Sequence, residues 1–407
     1  MFRGVAAAGL SIALGLIGAS AFAGTAAAAP AATAGYSALP NPVQQCDPSP
    51  KYKAQSGMPW AQRALDYSSL WKFTQGAGVT VAVIDSGVDA NPQFGNRVAA
   101  GQTFAKAPSG PAGGDCVGHG TMVAGIIAAA PASGTQFAGV APQARILSIK
   151  ITNSDKQGIS SATIASAIRQ AVQDGARVIN VSIATQGSDP SLQAAVDYAL
   201  SRNVVVVAAA GNDEQPDPSK PPTHGPFYPA DYPGVLSVGA VDQNGNLASW
   251  SDKLTNVSVT APGVNVTSTF PGPAGDSYAA NDGTSFAAPF VAGEAALIRS
   301  RYPTMSAQRV VRLIRETADG PAGAGTGNGL VNPVQAVTAV LPSGTAGAGT
   351  APAAPPPPGP VSVERLVPHR SEKVVAASLV GGAIAVAVLV IAAAVVIPAG
   401  RRRGWRP

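Results

Sequence analysis

The feature that most constrains this chain is an alternation. Short runs rich in β-branched residues recur between residues 79 and 241, each bounded by glycine or polar turn residues. They cover 79–85, 145–151, 178–183, 204–208 and 235–241, with a shorter one at 257–259. Runs that are apolar throughout belong to strands buried on both faces. Between them lie segments of helical character. Residues 118–130 are almost wholly apolar; Ile159, Ile164, Ile168 and Val172 recur at near-helical spacing; Leu192, Val196 and Leu200 mark another helix. Strands separated by helices read as parallel crossovers. The expected fold class is therefore α/β: a doubly wound parallel sheet with helices on both faces.

In such a sheet, ligands and catalysis gather outside the carboxyl ends of the strands. Asp85 ends the first run and is followed by Ser86-Gly87. Asn212 follows the fourth, in Ala209-Ala210-Gly211-Asn212. Two further residues open apolar helices: His119 in Gly118-His119-Gly120-Thr121, and Ser285 in Gly283-Thr284-Ser285-Phe286-Ala287-Ala288-Pro289. A hydroxyl ahead of a helix is by itself an ordinary cap. The coincidence carries more weight. A serine hydroxyl is a weak nucleophile and needs a base; imidazole serves near neutral pH, and a carboxylate fixes its tautomer. A developing oxyanion needs donors, which the Asn212 amide and the Ser285 N–H at a helix N-terminus supply. Asp85, His119 and Ser285 are the expected catalytic residues, and Asn212 the expected oxyanion donor.

Other polar residues read more plainly. Asp89 and Asp115 are expected to be solvated loop carboxylates, and His224 and His369 ordinary surface residues. No cluster has calcium-loop spacing, so no metal or cofactor is expected. Glu294 lies inside the apolar helix that Ser285 opens, where a carboxylate is costly unless paired.

The ends of the chain give its address. Met1-Phe2-Arg3, an apolar run and a string of small residues to Ala29 read as a secretory signal peptide, residues 1–29, with an uncleaved membrane anchor as the alternative. Residues 374–397 carry no charge over 24 positions, enough for one transmembrane helix. Arg401, Arg402, Arg403 and Arg406 follow, so the tail 398–407 is expected in the cytoplasm and the main domain outside. That tail holds +4 of the formal net charge of +5, so the charge is no argument for nucleic acid. Residues 30–59 form an irregular extension, 60–340 the main domain, and 341–373 a Pro/Gly/Ala-rich linker too poor in large apolar residues for a core. In an exported chain the two cysteines, Cys46 and Cys116, point to a disulfide. Free buried thiols or a metal site are the alternatives.

The four motifs, in the order Asp85, His119, Asn212, Ser285, resemble those of subtilisin-type serine peptidases over roughly 79–333. The resemblance implies a subtilisin-like fold and serine endopeptidase activity. It also implies a peptide substrate bound as an added strand, between Ser182-Ile183-Ala184 and Ala209-Ala210-Gly211. Many relatives have glycine where Ala184 stands. The whole layout is similar to the mycosins, membrane-anchored subtilases of type VII secretion systems. From that likeness come a type VII membrane complex as partner, a retained N-terminal extension tethered through Cys46–Cys116 near His119, and processing of secreted substrates. It also implies an alternative role, structural support of the secretion complex with peptidase activity secondary.

Overall fold

The computed structural model describes residues 57–105, 114–153, 158–213, 225–272 and 277–339. The signal segment, the extension with Cys46, the linker, the expected span 374–397, the tail and both His224 and His369 lie outside the described residues. Among the described residues, no helix is long and apolar enough to cross a membrane.

The chain opens with a short helix α1 (Trp60–Leu65), then strands β1 (Thr80–Asp85) and β2 (Val98–Ala100), and helix α2 (His119–Ala128). Next come β3 (Arg145–Lys150), α3 (Ser161–Gln173), β4 (Val178–Val181), β5 (Thr185–Gln186), α4 (Pro190–Ser201) and β6 (Val205–Ala209). The remainder is β7 (Phe227–Tyr228), β8 (Leu236–Val241), β9 (Val259–Pro262), β10 (Val266–Phe270), β11 (Ser277–Asn281), α5 (Thr284–Arg301), α6 (Ala307–Glu316) and α7 (Pro333–Thr338).

Seven strands form one sheet in the order β2-β3-β1-β4-β6-β8-β9, all parallel. The order runs one way from β1 through β3 and the other way from β4, so the switch point falls between β1 and β4. That crevice is where open α/β sheets place their sites. Both faces are covered. α3 and α4 pack on one, over a core that includes Ile84, Ile149, Ile164, Ile168, Ile179, Val206 and Leu192. α2 and α5 pack on the other, α5 crossing β4, β6, β8 and β9. α5 is apolar on nearly every side because it is enclosed on nearly every side. The helices on the outer face begin with side-chain caps: Ser160 for α3, and Asp189 followed by Pro190 for α4.

The α/β sheet read from the sequence is present, with strand ends moved by one to three residues. Four features differ. β2 is a short edge strand. β5 and β7 form a two-stranded ribbon, and β10 and β11 an antiparallel hairpin. The domain closes on a short helix, α7, that Pro333 begins.

Candidate active site

β1 ends on Asp85, which is fully buried. α2 begins on His119, whose side chain is 23% exposed. His119 Nδ1 lies 2.7 Å from Asp85 Oδ1, the same oxygen that accepts the Ser86 N–H at 2.7 Å. An ionised carboxylate only accepts, so Nδ1 carries the proton and Nε2 is the basic nitrogen. The glycines flanking His119 make this approach feasible. A methyl on Gly120 would lie 2.0 Å from the Gly87 carbonyl oxygen, and one on Gly118 would meet the Phe270 ring at 2.2 Å. Only a bare Cα lets the helix start this close to the end of β1.

Ser285 occupies the first turn of α5, just past Gly283. Its Oγ–H donates to the Ser182 carbonyl oxygen at 2.9 Å, and the Ser182 hydroxyl donates back to the Ser285 carbonyl at 3.0 Å. The second bond has a sequence cause. In a regular helix the Ser285 carbonyl would accept from residue 289, but Pro289 has no N–H. Ser182 takes the freed acceptor and pins α5 to the segment leaving β4. The Phe286 ring stands 4.9 Å from the His119 ring, which brings the start of α5 beside α2.

Asn212 lies just past the end of β6. Its Oδ1 accepts from Thr284 N–H at 3.0 Å and Thr284 Oγ1 at 2.9 Å. With the oxygen so held, the NH₂ is turned away from Thr284 as a donor. Three neighbouring strand ends and two helix starts thus converge on one rim of the sheet. The sequence profile Peptidase_S8, the Subtilase family, matches residues 76–346.

The chain belongs to the subtilase family. Subtilisin DY of Bacillus licheniformis is 43% identical over 244 residues, 60% of this chain and 85% of that protein. Two solved structures are also similar. One is a serine protease MycP1, described as an essential component of the type VII (ESX-1) secretion system: 33% identity, TM-score 0.61, 74% of this chain and 92% of that one. The other is MycP3 protease from the type VII (ESX-3) secretion system: 35% identity, TM-score 0.59, 74% and 91%. The reaction of this subtilase is that of a serine endopeptidase, hydrolysis of peptide bonds.

Beneath the rim is a network that the sequence reading missed. Asp115, expected in solvent, is only 3% exposed. Its carboxylate accepts from Ser86 Oγ, the N–H groups of Val117, Gly118 and Thr121, and Thr121 Oγ1, at 2.7–3.0 Å. Ser86 Oγ in turn accepts the Gly120 N–H at 3.0 Å. Asp115 therefore caps the start of α2 and ties it to the turn after Asp85. Its position four residues before His119 was the one available signal. Lys150, the register partner of Asp85 on β3, is buried as well, and Nζ donates to the Ser86 and Gly114 carbonyls at 2.6 and 2.7 Å. Burial lowers its pKa, while Asp115, Asp85 and Asp89 act to raise it. Asp89 is also buried in the folded chain; burial and the nearby Asp115 push its carboxyl up to about 6.

The segments expected to hold substrate, Ser182-Ile183-Ala184 and Ala209-Ala210-Gly211, continue from the adjacent parallel strands β4 and β6 at this rim. Ile183 turns inward and packs on the core. Cys116 follows Asp115 in the loop before His119, and its expected partner Cys46 lies outside the described residues.

Proposed function

We propose that this subtilase cleaves peptide bonds through Asp85, His119 and Ser285, with Asn212 and the Ser285 backbone N–H stabilising the oxyanion. The observation that carries this reading is the 2.7 Å Asp85–His119 pair, set beside the helix turn that bears Ser285. Ser285 Oγ attacks the carbonyl carbon of the substrate while His119 Nε2 takes its proton. The imidazolium is stabilised by Asp85 and then protonates the leaving amine. Water repeats the sequence on the acyl-enzyme. The Ser285 hydroxyl donates to the Ser182 carbonyl, so attack requires it to turn to His119. The peptide lies as an added strand between residues 182–184 and 209–211.

The protein so read is exported by residues 1–29 and anchored by one span at 374–397. The peptidase domain 60–340 is held outside on the linker 341–373, with the tail 398–407 in the cytoplasm. Cys46 bridges Cys116 and carries the extension 30–59 across the domain; the absence of a free cysteine among the described residues supports this. The likeness to MycP1 and MycP3 supports a place in a type VII secretion complex and a role in processing its substrates.

A fluorophosphonate probe tests the triad. It should label the wild-type protein and leave Ser285→Ala unlabelled; equal labelling of both would reject the reading. A second reading is favoured by the description of MycP1 as an essential component of its secretion system. In that reading the chain is a scaffold whose peptidase activity is secondary. Ser285→Ala should then preserve secretion that deletion of the gene abolishes, whereas equal loss in both would leave peptidase action as the essential one.

A further inference from the structure

β7 links the two segments proposed to hold substrate. On one side β7 pairs antiparallel with β5, which continues the 182–184 segment: Thr185 opposes Tyr228 and Gln186 opposes Phe227. On the other side Thr255 ties β7 to the second segment. Its Oγ1 accepts the Phe227 N–H at 2.9 Å and donates to the Ala210 carbonyl at 2.9 Å. The two residues of β7 thus bridge both sides of the cleft.

Successive side chains of a strand point to opposite faces. Tyr228 packs on the core, its ring 4.6 Å from that of Tyr232. Phe227 is directed the other way, onto Gly211. A methyl built on Gly211 would lie 2.1 Å from Phe227 Cδ2, so the ring occupies the space a side chain at 211 would take. The ring is partly exposed, and Gly211 immediately precedes Asn212. The Phe227 ring therefore lies against Gly211, one residue from the proposed oxyanion donor. A carbonyl oxygen held by Asn212 belongs to the residue on the acyl side of the scissile bond, and a side chain of that residue directed between the two segments would meet this ring.

We propose that Phe227 fills the pocket for the residue preceding the scissile bond and restricts cleavage to small side chains there, alanine, glycine or serine. The inference rests on the peptidase reading above and on the substrate segments it names. An open pocket with an aromatic floor would instead favour leucine or phenylalanine, so the two outcomes are opposed.

The full-length protein should be assayed on peptide p-nitroanilides that differ only in the last residue: alanine, leucine or phenylalanine. Wild type should show kcat/KM at least ~10-fold higher for alanine than for phenylalanine. Phe227→Ala should raise the phenylalanine/alanine ratio by ~10–200-fold. The pairing of β7 uses backbone groups, and fluorophosphonate titration counts correctly folded sites in each variant. Phe227→Leu, a milder change, should admit leucine ahead of phenylalanine. Wild type that hydrolyses the phenylalanine substrate as fast as the alanine one overturns the proposal whatever the variants do. So does a labelled Phe227→Ala with an unchanged ratio. Failure of wild type to react with fluorophosphonate at all is a different result, and it removes the peptidase reading itself.

Discussion

Replacing Glu294 by glutamine should make the chain more stable at pH 8 while changing it little at pH 5. Glu294 lies in the middle of α5 with no exposure, and both carboxyl oxygens lack a hydrogen-bond partner among the described residues. Burial alone pushes its pKa from 4.5 to about 8. The folded chain therefore keeps this proton over a pH range in which the unfolded chain releases it. Below pH 4.5 both states are protonated and the group costs nothing on this account. As pH rises toward 8, ionisation favours the unfolded chain, and above 8 the loss is constant. The slope for one proton is about 1.4 kcal/mol per pH unit, so the loss from pH 5 to pH 8 is on the order of 4 kcal/mol. Asp89, with its own raised pKa, contributes a slope of the same sign at lower pH, so the informative quantity is the difference between wild type and Glu294→Gln. Guanidinium unfolding followed by tryptophan fluorescence, in a Ser285→Ala background to prevent self-digestion, measures it. Stability of the carboxylate form should fall away from that of the amide form as pH rises. Glu294→Met, which also removes the buried polar atoms, should track the amide form's pH dependence from a higher baseline. Parallel curves from pH 5 to pH 8 would mean that the carboxyl is ionised or solvated in the folded chain, and the argument would fail.

Two further predictions concern the rim. Lys150→Met removes the buried cation beside Asp85 and leaves the Ser86 and Gly114 carbonyls without their donor. Activity should fall, and the acid limb of the kcat/KM profile should move to higher pH, because the imidazolium of His119 no longer forms near a positive charge; a fall with no shift of the limb would reduce Lys150 to a structural role. Asn212→Ala should lower kcat by ~10²–10³ with little change in KM, the range found when the corresponding donor is removed from subtilisin. A parallel rise in KM would point instead to collapse of the Thr284 contacts.

What the sequence made legible, and what it hid, follows from how each residue is held. Asp85, His119, Asn212 and Ser285 were legible because each stands at a strand end or a helix start, and those boundaries are written in local composition. The central strands were legible because burial on both faces leaves no choice but apolar residues. β10 was not, because it breaks that rule. Ser268 and Thr269 are buried as polar residues by donating to the Met122 and Thr121 carbonyls of α2, a partner more than a hundred residues away. Asp115 was hidden for the same reason. It stands in a glycine-rich stretch that reads as an open loop, yet it is taken out of water by donors from the turn after Asp85 and from the start of α2. Solvation of a carboxylate in a polar loop is the default only while no set of donors replaces water, and that set is assembled by the tertiary fold. Glu294 is the converse case. Its cost was visible from the apolar residues around it, and the fold supplies no partner among the described residues to offset it. A carboxyl in that position is tolerated by remaining protonated, which is why its removal is expected to matter most where pH would otherwise take the proton away.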